Sequence, residues 1–220
     1  MHNILLFLRE LAANNNREWF QANRQWYDQV CLEHHEIIKS LLVRIAQFDP
    51  SIAHLDVKDC TYRIYRDVRF SQDKAPYKRH IGAYISARGK KSYHGGYYLH
   101  LMPGESMLAC GTWYLPPRTL KELRLSICED LTTFRSIVEA PEFRAAFPQL
   151  GYDHLKTMPK GFPADFPYPD YLRPRLYSCA CNLSDDFIGT PGWLDEIARR
   201  CQIAKPYIDF INDTIDDYEE

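Results

Sequence analysis

Six of the twenty residues from Thr61 to His80 are arginine or lysine, which makes this the stretch of the chain best equipped to handle negative charge. Read with the period of two of a β-strand, Thr61, Arg63, Tyr65, Asp67 and Arg69 share a polar face, and Tyr62, Ile64, Arg66, Val68 and Phe70 share a mostly apolar one. Arg66 interrupts the apolar face. An unpaired buried guanidinium is very costly, so Arg66 requires a carboxylate, a row of carbonyls or a bound anion. Asp67 is its neighbour in sequence but points the other way, so that partner must come from elsewhere. The turn-forming run Ser71-Gln72-Asp73-Lys74-Ala75-Pro76 then delivers Lys74 to the rim of a sheet.

Two readings of this stretch follow. In the first it is an anion site, with Arg63, Arg66, Arg69, Lys74 and Arg79, aided by Lys78, converging on a phosphate or carboxylate. A reaction at such a site would use Asp67 as general base and Tyr77 or His80 as proton donor, acting on a small anionic substrate. In the second, Arg63, Arg66 and Arg69 with Asp67 and Asp73 form an ion-pair lattice, and the chain is a non-catalytic scaffold or binding module. The absence of a Gly-rich phosphate loop, a nucleophile elbow or a His-Glu-x-x-His motif favours no reaction and names no cofactor. Metal binding would draw on Cys179 and Cys181, with Cys110, Cys201, His94 and His100 as partners, or on His80 and His100 facing each other near Glu105. Neither pattern has the spacing of a metal site. Nucleic acid is disfavoured by the overall acidity and the lack of an aromatic RNA-binding motif.

The motif Arg-x-x-Arg-Asp-x-Arg-Phe-x-x-Asp-Lys-x-x-Tyr, running from Arg63 to Tyr77, resembles the signature of an uncharacterised, mostly bacterial family defined only as a domain of unknown function. The resemblance extends to Asn14-Asn15-Asn16-Arg17-Glu18-Trp19-Phe20, Lys160-Gly161-Phe162, Lys205-Pro206-Tyr207 and Phe210, and so covers nearly the whole chain. Ala109-Cys110-Gly111-Thr112 departs from the family pattern, which is richer in glycine there. The resemblance implies a fold and the location of a site, and no reaction.

At 220 residues the chain can bury a substantial core as one domain, residues 1–220. A net charge of −2 argues against broad attraction to nucleic acid or anionic membrane, so any such binding would be local. The apolar run Ile4 to Leu8 is too short for a signal-peptide core or a membrane span, and a cytoplasmic location is expected. Seven cysteines without a Cys-x-x-Cys read as free core thiols. Oligomeric state is not indicated.

The elements that must position these residues define an α+β chain: a helical part at 1–50, an antiparallel sheet at 60–115, and helices, a Pro/aromatic loop and a last strand at 116–220. Asn15 with Glu18 fits a capping box, and one long helix follows from Arg17. His34 falls on its apolar stripe and reads as a core histidine. The signature strand, Arg79 to Ala87, Tyr97 to Met102, Ser106 to Leu115 and Leu176 to Leu183 give about five strands, the first two as a hairpin. Leu120 to Leu131, a segment with Phe134, Ile137 and Val138, and Glu142 to Phe147 read as helices, and Met158 to Pro174 as an ordered loop over the core. The final helix opens with Thr190 as cap and Pro191 at its first position, with a break or kink at Pro206.

Overall fold

The apolar repeat near the start closes into α1 (Asn3–Ala13), which buries Ile4, Leu5, Phe7, Leu8 and Leu11. The computed structural model describes residues 2–218, so Met1, Glu219 and Glu220 of the expected domain lie outside the described residues. Each of the three asparagines that follow does something different. The Asn14 backbone N–H donates to the Glu10 and Leu11 carbonyls and ends α1. Asn16, not the expected Asn15, caps α2 (Arg17–Ala22) by accepting from the Trp19 N–H at 2.8 Å. Asn15 is thereby left free to pair with the backbone of Tyr77, described below.

The single long helix expected from Arg17 is two helices, α2 and α3 (Arg24–Ile45), divided at Asn23. The Asn23 side chain donates to the Trp19 carbonyl at 2.9 Å, giving that carbonyl a partner outside the helical ladder, which is how Asn commonly interrupts a helix. Val30, His34, Ile37, Ile38, Leu41 and Ile45 form the buried stripe of α3. Phe7 of α1 meets Trp19, Trp26 and Tyr27 at ring separations of 5.8, 5.3 and 5.8 Å, so aromatic packing fixes α1 against α2 and α3. A short helix, α4 (Val57–Cys60), opens with a capping box in which Asp56 and Asp59 serve each other's backbone.

The signature stretch is not a strand of the sheet. From Thr61 to His80 the backbone is irregular and makes only two isolated antiparallel bridges, Thr61 with Ala83 and Tyr65 with Tyr77. The face expected to be core buries only Ile64; Tyr62 is exposed, and Phe70 is 96% exposed. The alternation is therefore real in sequence, but beyond Tyr65 the chain leaves extended pairing and turns back on itself, with the Ser71 N–H donating to the Val68 carbonyl.

Among the described residues there are five strands, β1 (Ile81–Ile85), β2 (Gly96–Leu101), β3 (Ser106–Gly111), β4 (Gln149–Tyr152) and β5 (Leu176–Leu183), in one antiparallel sheet of order β1-β2-β3-β5-β4. Strand β3 stops at Gly111, short of the expected Leu115, where φ is +113°. The fifth strand is β4, which pairs with β5 through Gln149–Ala180 and Leu150–Cys179 and then slips by one residue at Gly151 before Tyr152 meets Leu176. Between β3 and β5 come α5 (Pro117–Glu129), α6 (Leu131–Val138), α7 (Pro141–Ala146) and α8 (Pro169–Leu172), each but α6 with a proline at its start. The Pro/aromatic loop is ordered by its rings: Tyr168 stacks on Tyr171 at 5.5 Å, and Tyr171 meets Phe134 edge-on at 5.3 Å.

The last helix, α9 (Trp193–Tyr218), begins after Gly192 rather than at Pro191 and runs through Pro206 without interruption. Pro206 and Gln202, whose carbonyl loses its helical N–H partner, both face outward, so water can serve that carbonyl. Cα proximity divides the chain into two compact units. One comprises the chain up to Ile85 with Tyr98–Leu108 and Asn182–Arg199; the other comprises Ser86–Tyr97, Ala109–Cys181 and the chain from Arg200. All seven cysteines are free, five of them buried. No helix of the described residues is long and apolar enough to cross a membrane.

Candidate functional site

Tyr77 anchors the cationic stretch. Its ring stacks on Phe20 at 4.0 Å, and its backbone is held by a reciprocal pair of bonds: Asn15 Nδ2 donates to the Tyr77 carbonyl at 3.0 Å, and the Tyr77 N–H donates to Asn15 Oδ1 at 3.1 Å. Asn15 thus mimics one rung of a β-ladder, and the start of the chain fixes residues more than sixty positions later. The Tyr77 side chain is buried, and burial raises its pKa, so it acts as core rather than as a ready proton donor.

Arg66 closes the loop that follows. Its backbone N–H donates to the Pro76 carbonyl at 2.9 Å, and its guanidinium donates to Asp73 Oδ2 at 2.7 Å, to the Ala75 carbonyl at 3.0 Å and to Ser71 Oγ at 3.4 Å. The partners its burial demands are therefore a carboxylate and a carbonyl from its own loop. Asp73 is held below the usual carboxylate range by the Ala75 N–H and by Arg66. Arg69 grips Asp67 through Nε at 2.9 Å and Nη2 at 2.6 Å, and Arg69 is the main cause of the lowered Asp67 pKa. An exposed carboxylate so engaged is a weak base. Lys74 donates to the Val68 carbonyl at 3.1 Å and braces the same loop.

The remaining cations are arranged differently. The Lys78 N–H donates to the Ile64 carbonyl at 2.8 Å, which sets Lys78 beside the Tyr62–Arg63 segment. Its ammonium lies 5.5 Å from the centre of the Tyr62 ring. Its pKa is lowered, first by partial burial and then by the like charge of Arg63. Among the described residues no carboxylate pairs with Lys78, Arg63 or Arg79.

Next in the chain is His80, whose ring lies 4.4 Å from that of His100, while Tyr98 Oη and His100 Nδ1 are hydrogen-bonded at 3.0 Å. Burial, then His100 and Lys78, push the His80 pKa down to about 4, and burial lowers that of His100, so both rings are neutral at pH 7. The Tyr98 ring crosses Gly82, where a Cβ would stand 2.7 Å from its oxygen.

From residue 3 to residue 210 the chain matches the model of the conserved hypothetical protein family DUF2461. It belongs to that family. Searches among curated proteins and among solved structures return no match. In this DUF2461 chain the motif divides into two halves. Arg66, Arg69 and Lys74, with Asp67 and Asp73, are satisfied within one loop, whereas Arg63 and its neighbours Lys78 and Arg79 form no ion pair among the described residues, although Arg63 helps to lower the Asp67 pKa and Arg79 that of Asp73. Sequence reasoning did not find Tyr62 as a neighbour of Lys78, because it placed Tyr62 on a core face, whereas the facing of His80 and His100 and a pairing of the signature stretch with the strand after it were expected.

The thiols of the DUF2461 chain do not gather into a metal site. Cys110 lies within bonding reach of Cys179 and Cys201, and burial drives its pKa well up, which keeps it a thiol. Cys181 accepts from Arg200 Nη1 at 3.1 Å. Among the described residues no group of three or more His, Cys, Asp or Glu could hold a metal ion.

Proposed function

We propose that this protein binds a small anion, a phosphate or carboxylate group, on the face formed by Arg63, Lys78 and Arg79, with Tyr62 and His80 at its border. The observation that carries this reading is Lys78: a half-buried ammonium, facing the like charge of Arg63, with no carboxylate to offset the cost. A bound oxyanion would supply the missing counter-charge, taking two N–H groups from a guanidinium and one from the ammonium. The Tyr62 ring, already beneath Lys78, offers a flat apolar surface to a ligand carrying a planar group. Neutral His80 would accept a hydrogen bond from such a ligand. This reading concerns binding, and a reaction would require a ligand that brings its own reactive bond.

A structural role is favoured for the other half of the motif by the ion pairs Arg66–Asp73 and Arg69–Asp67, which fold the loop that flanks the site.

A thermal-shift screen against phosphate, sulfate, nucleotides and dicarboxylates tests the proposal. A ligand at about a hundredfold its Kd should raise the melting temperature of the wild type by roughly 5–10 °C. Lys78→Met should abolish that rise while leaving the unliganded protein as stable as before or more so, because an uncompensated half-buried charge is gone. Arg69→Ala, which removes only a surface pair, should leave the rise in place. A rise retained in Lys78→Met, or none with any anion, would sink the proposal.

A further inference from the structure

The second compact unit holds a constellation that the cationic face does not use. Ser92 Oγ lies 2.7 Å from His94 Nδ1, and His94 Nε2 lies 2.8 Å from Asp216 Oδ1. A carboxylate can only accept, so the tautomer that fits this contact carries its proton on Nε2, pointing at Asp216. In that tautomer Nδ1 is an acceptor, and the Ser92 hydroxyl donates to it. The backbone agrees with that direction, because the His94 N–H donates to Ser92 Oγ at 3.1 Å and so occupies an acceptor position, leaving the hydroxyl proton for the ring. The result is a hydroxyl, a base and an orienting carboxylate in series, the arrangement that activates a serine nucleophile.

The frame around these groups is firm. His94 is 3% exposed, and its neighbour Gly95 is bracketed by Asn212, which accepts from the Gly95 N–H at 2.7 Å and donates to its carbonyl at 3.3 Å. Asp216 also accepts from Arg88 Nη2 at 2.6 Å, which holds the carboxylate in place. Ser92 itself is half-exposed and can be reached from solvent. Beside it lies an aromatic ledge. Tyr93 and Tyr114 have rings 5.8 Å apart, and their backbones are linked through Thr112 Oγ1, which donates to the Tyr93 carbonyl at 2.8 Å and lies 3.2 Å from that of Tyr114. Tyr93, Trp113 and Tyr114 are 40%, 65% and 55% exposed, an unusual run of aromatic surface.

We propose that Ser92, His94 and Asp216 form a hydrolytic site for carboxylic esters, with the exposed rings selecting an aryl group on the substrate. Ser92 Oγ attacks the ester carbonyl carbon as its proton passes to His94 Nδ1, and Asp216 stabilises the imidazolium. The tetrahedral adduct collapses by breaking the bond to the alkoxy oxygen, which leaves as the alcohol with the proton from Nδ1. Water then gives a proton to Nδ1 and attacks the acyl-serine. Cleavage of the acyl–Oγ bond releases the carboxylic acid, and the proton returns to Ser92. Asp216 is a positioning residue in this scheme, since it acts through the imidazole.

Incubation of the whole protein with a fluorophosphonate, followed by peptide mass spectrometry, reads the activated serine directly. The adduct is expected on Ser92, and Ser92→Ala is expected to lower hydrolysis of a p-nitrophenyl ester at least tenfold with its circular dichroism unchanged. Asp216→Asn should slow the reaction and move the midpoint of its pH–rate profile downward, a shift that a merely structural tether would not produce. No adduct on Ser92 in the wild type overturns the proposal whatever the variants do, and so does less than a tenfold loss in a folded Ser92→Ala.

Discussion

Replacing Gly111 with alanine is expected to destabilise the fold by roughly 3–5 kcal/mol, the range reached when a buried backbone is both strained and overpacked. A Cβ at this position would stand 2.3 Å from the Tyr177 carbonyl oxygen and 3.1 Å from Ser178 Cα, both backbone atoms of β5, and φ there is +113°. Neither atom can swing aside as a side chain could. Around it the Thr112 N–H donates to that same Tyr177 carbonyl at 2.9 Å and Ser178 Oγ donates to the Thr112 carbonyl at 2.8 Å, so moving β5 away would also break bonds. Gly104→Ala is the matched control: its φ is +75°, but nothing lies within 4 Å of the added carbon, and a loss of about 1 kcal/mol is expected from backbone strain alone. Urea unfolding of the two variants checks the contrast. Equal losses would mean that β5 can retreat from Gly111.

Acidification from pH 7 to about 4.5 is expected to cost stability through His34 above all. Its ring is 3% exposed, its Nε2 lacks a hydrogen-bond partner among the described residues, and burial pushes its pKa from 6.5 down to about 4. Above pH 6.5 neither folded nor unfolded chain binds a proton there. Between 6.5 and about 4 only the unfolded chain does, so stability falls as pH falls, by roughly 3 kcal/mol in all at about 1.4 kcal/mol per pH unit, and then levels off. His80 acts in the same direction, to a smaller extent because it is partly solvated. The Glu139 carboxyl, which Arg135 and Tyr171 hold down to about 2, contributes only below its unfolded value near 4.5. Denaturation midpoints of the wild type and His34→Leu between pH 7 and 4.5 test the assignment: the variant should lose most of the slope. An unchanged slope would show that His34 is not a buried neutral imidazole.

Much of the scaffold is legible in the sequence, for identifiable reasons. Strand β5 is found at its true bounds, Leu176–Leu183, because Leu176, Ser178, Ala180 and Asn182 alternate with the bulkier or more apolar Tyr177, Cys179, Cys181 and Leu183. Helices α5 to α7 follow from their apolar spacing, and in α5 and α7 from a proline at the start. Strand β4 has four residues, one of them Gly151 opposite the register slip in β5, and carries too little pattern to be seen. The signature stretch misleads for the opposite reason: its alternation is strong, yet Ile64 alone of that face is fully buried, because the loop closes on Arg66 instead of joining the sheet. That Arg66 needs a partner is legible, and the lattice reading already counts Asp73 among the acids; that it is Asp73 together with the Ala75 carbonyl, in a loop closed on itself, is not. Asn15 and Tyr77, like His94 and Asp216, are joined only by the folded chain, and no local spacing announces them.

The way Arg66 gathers Ser71, Asp73, Ala75 and Pro76 gives the segment between them a drawstring at its base. The outermost point, around Phe70, contributes almost nothing to the interior. Foreign sequence such as an epitope tag spliced in at that point would hang outside the knot, leaving the Tyr77 anchor and both compact units intact.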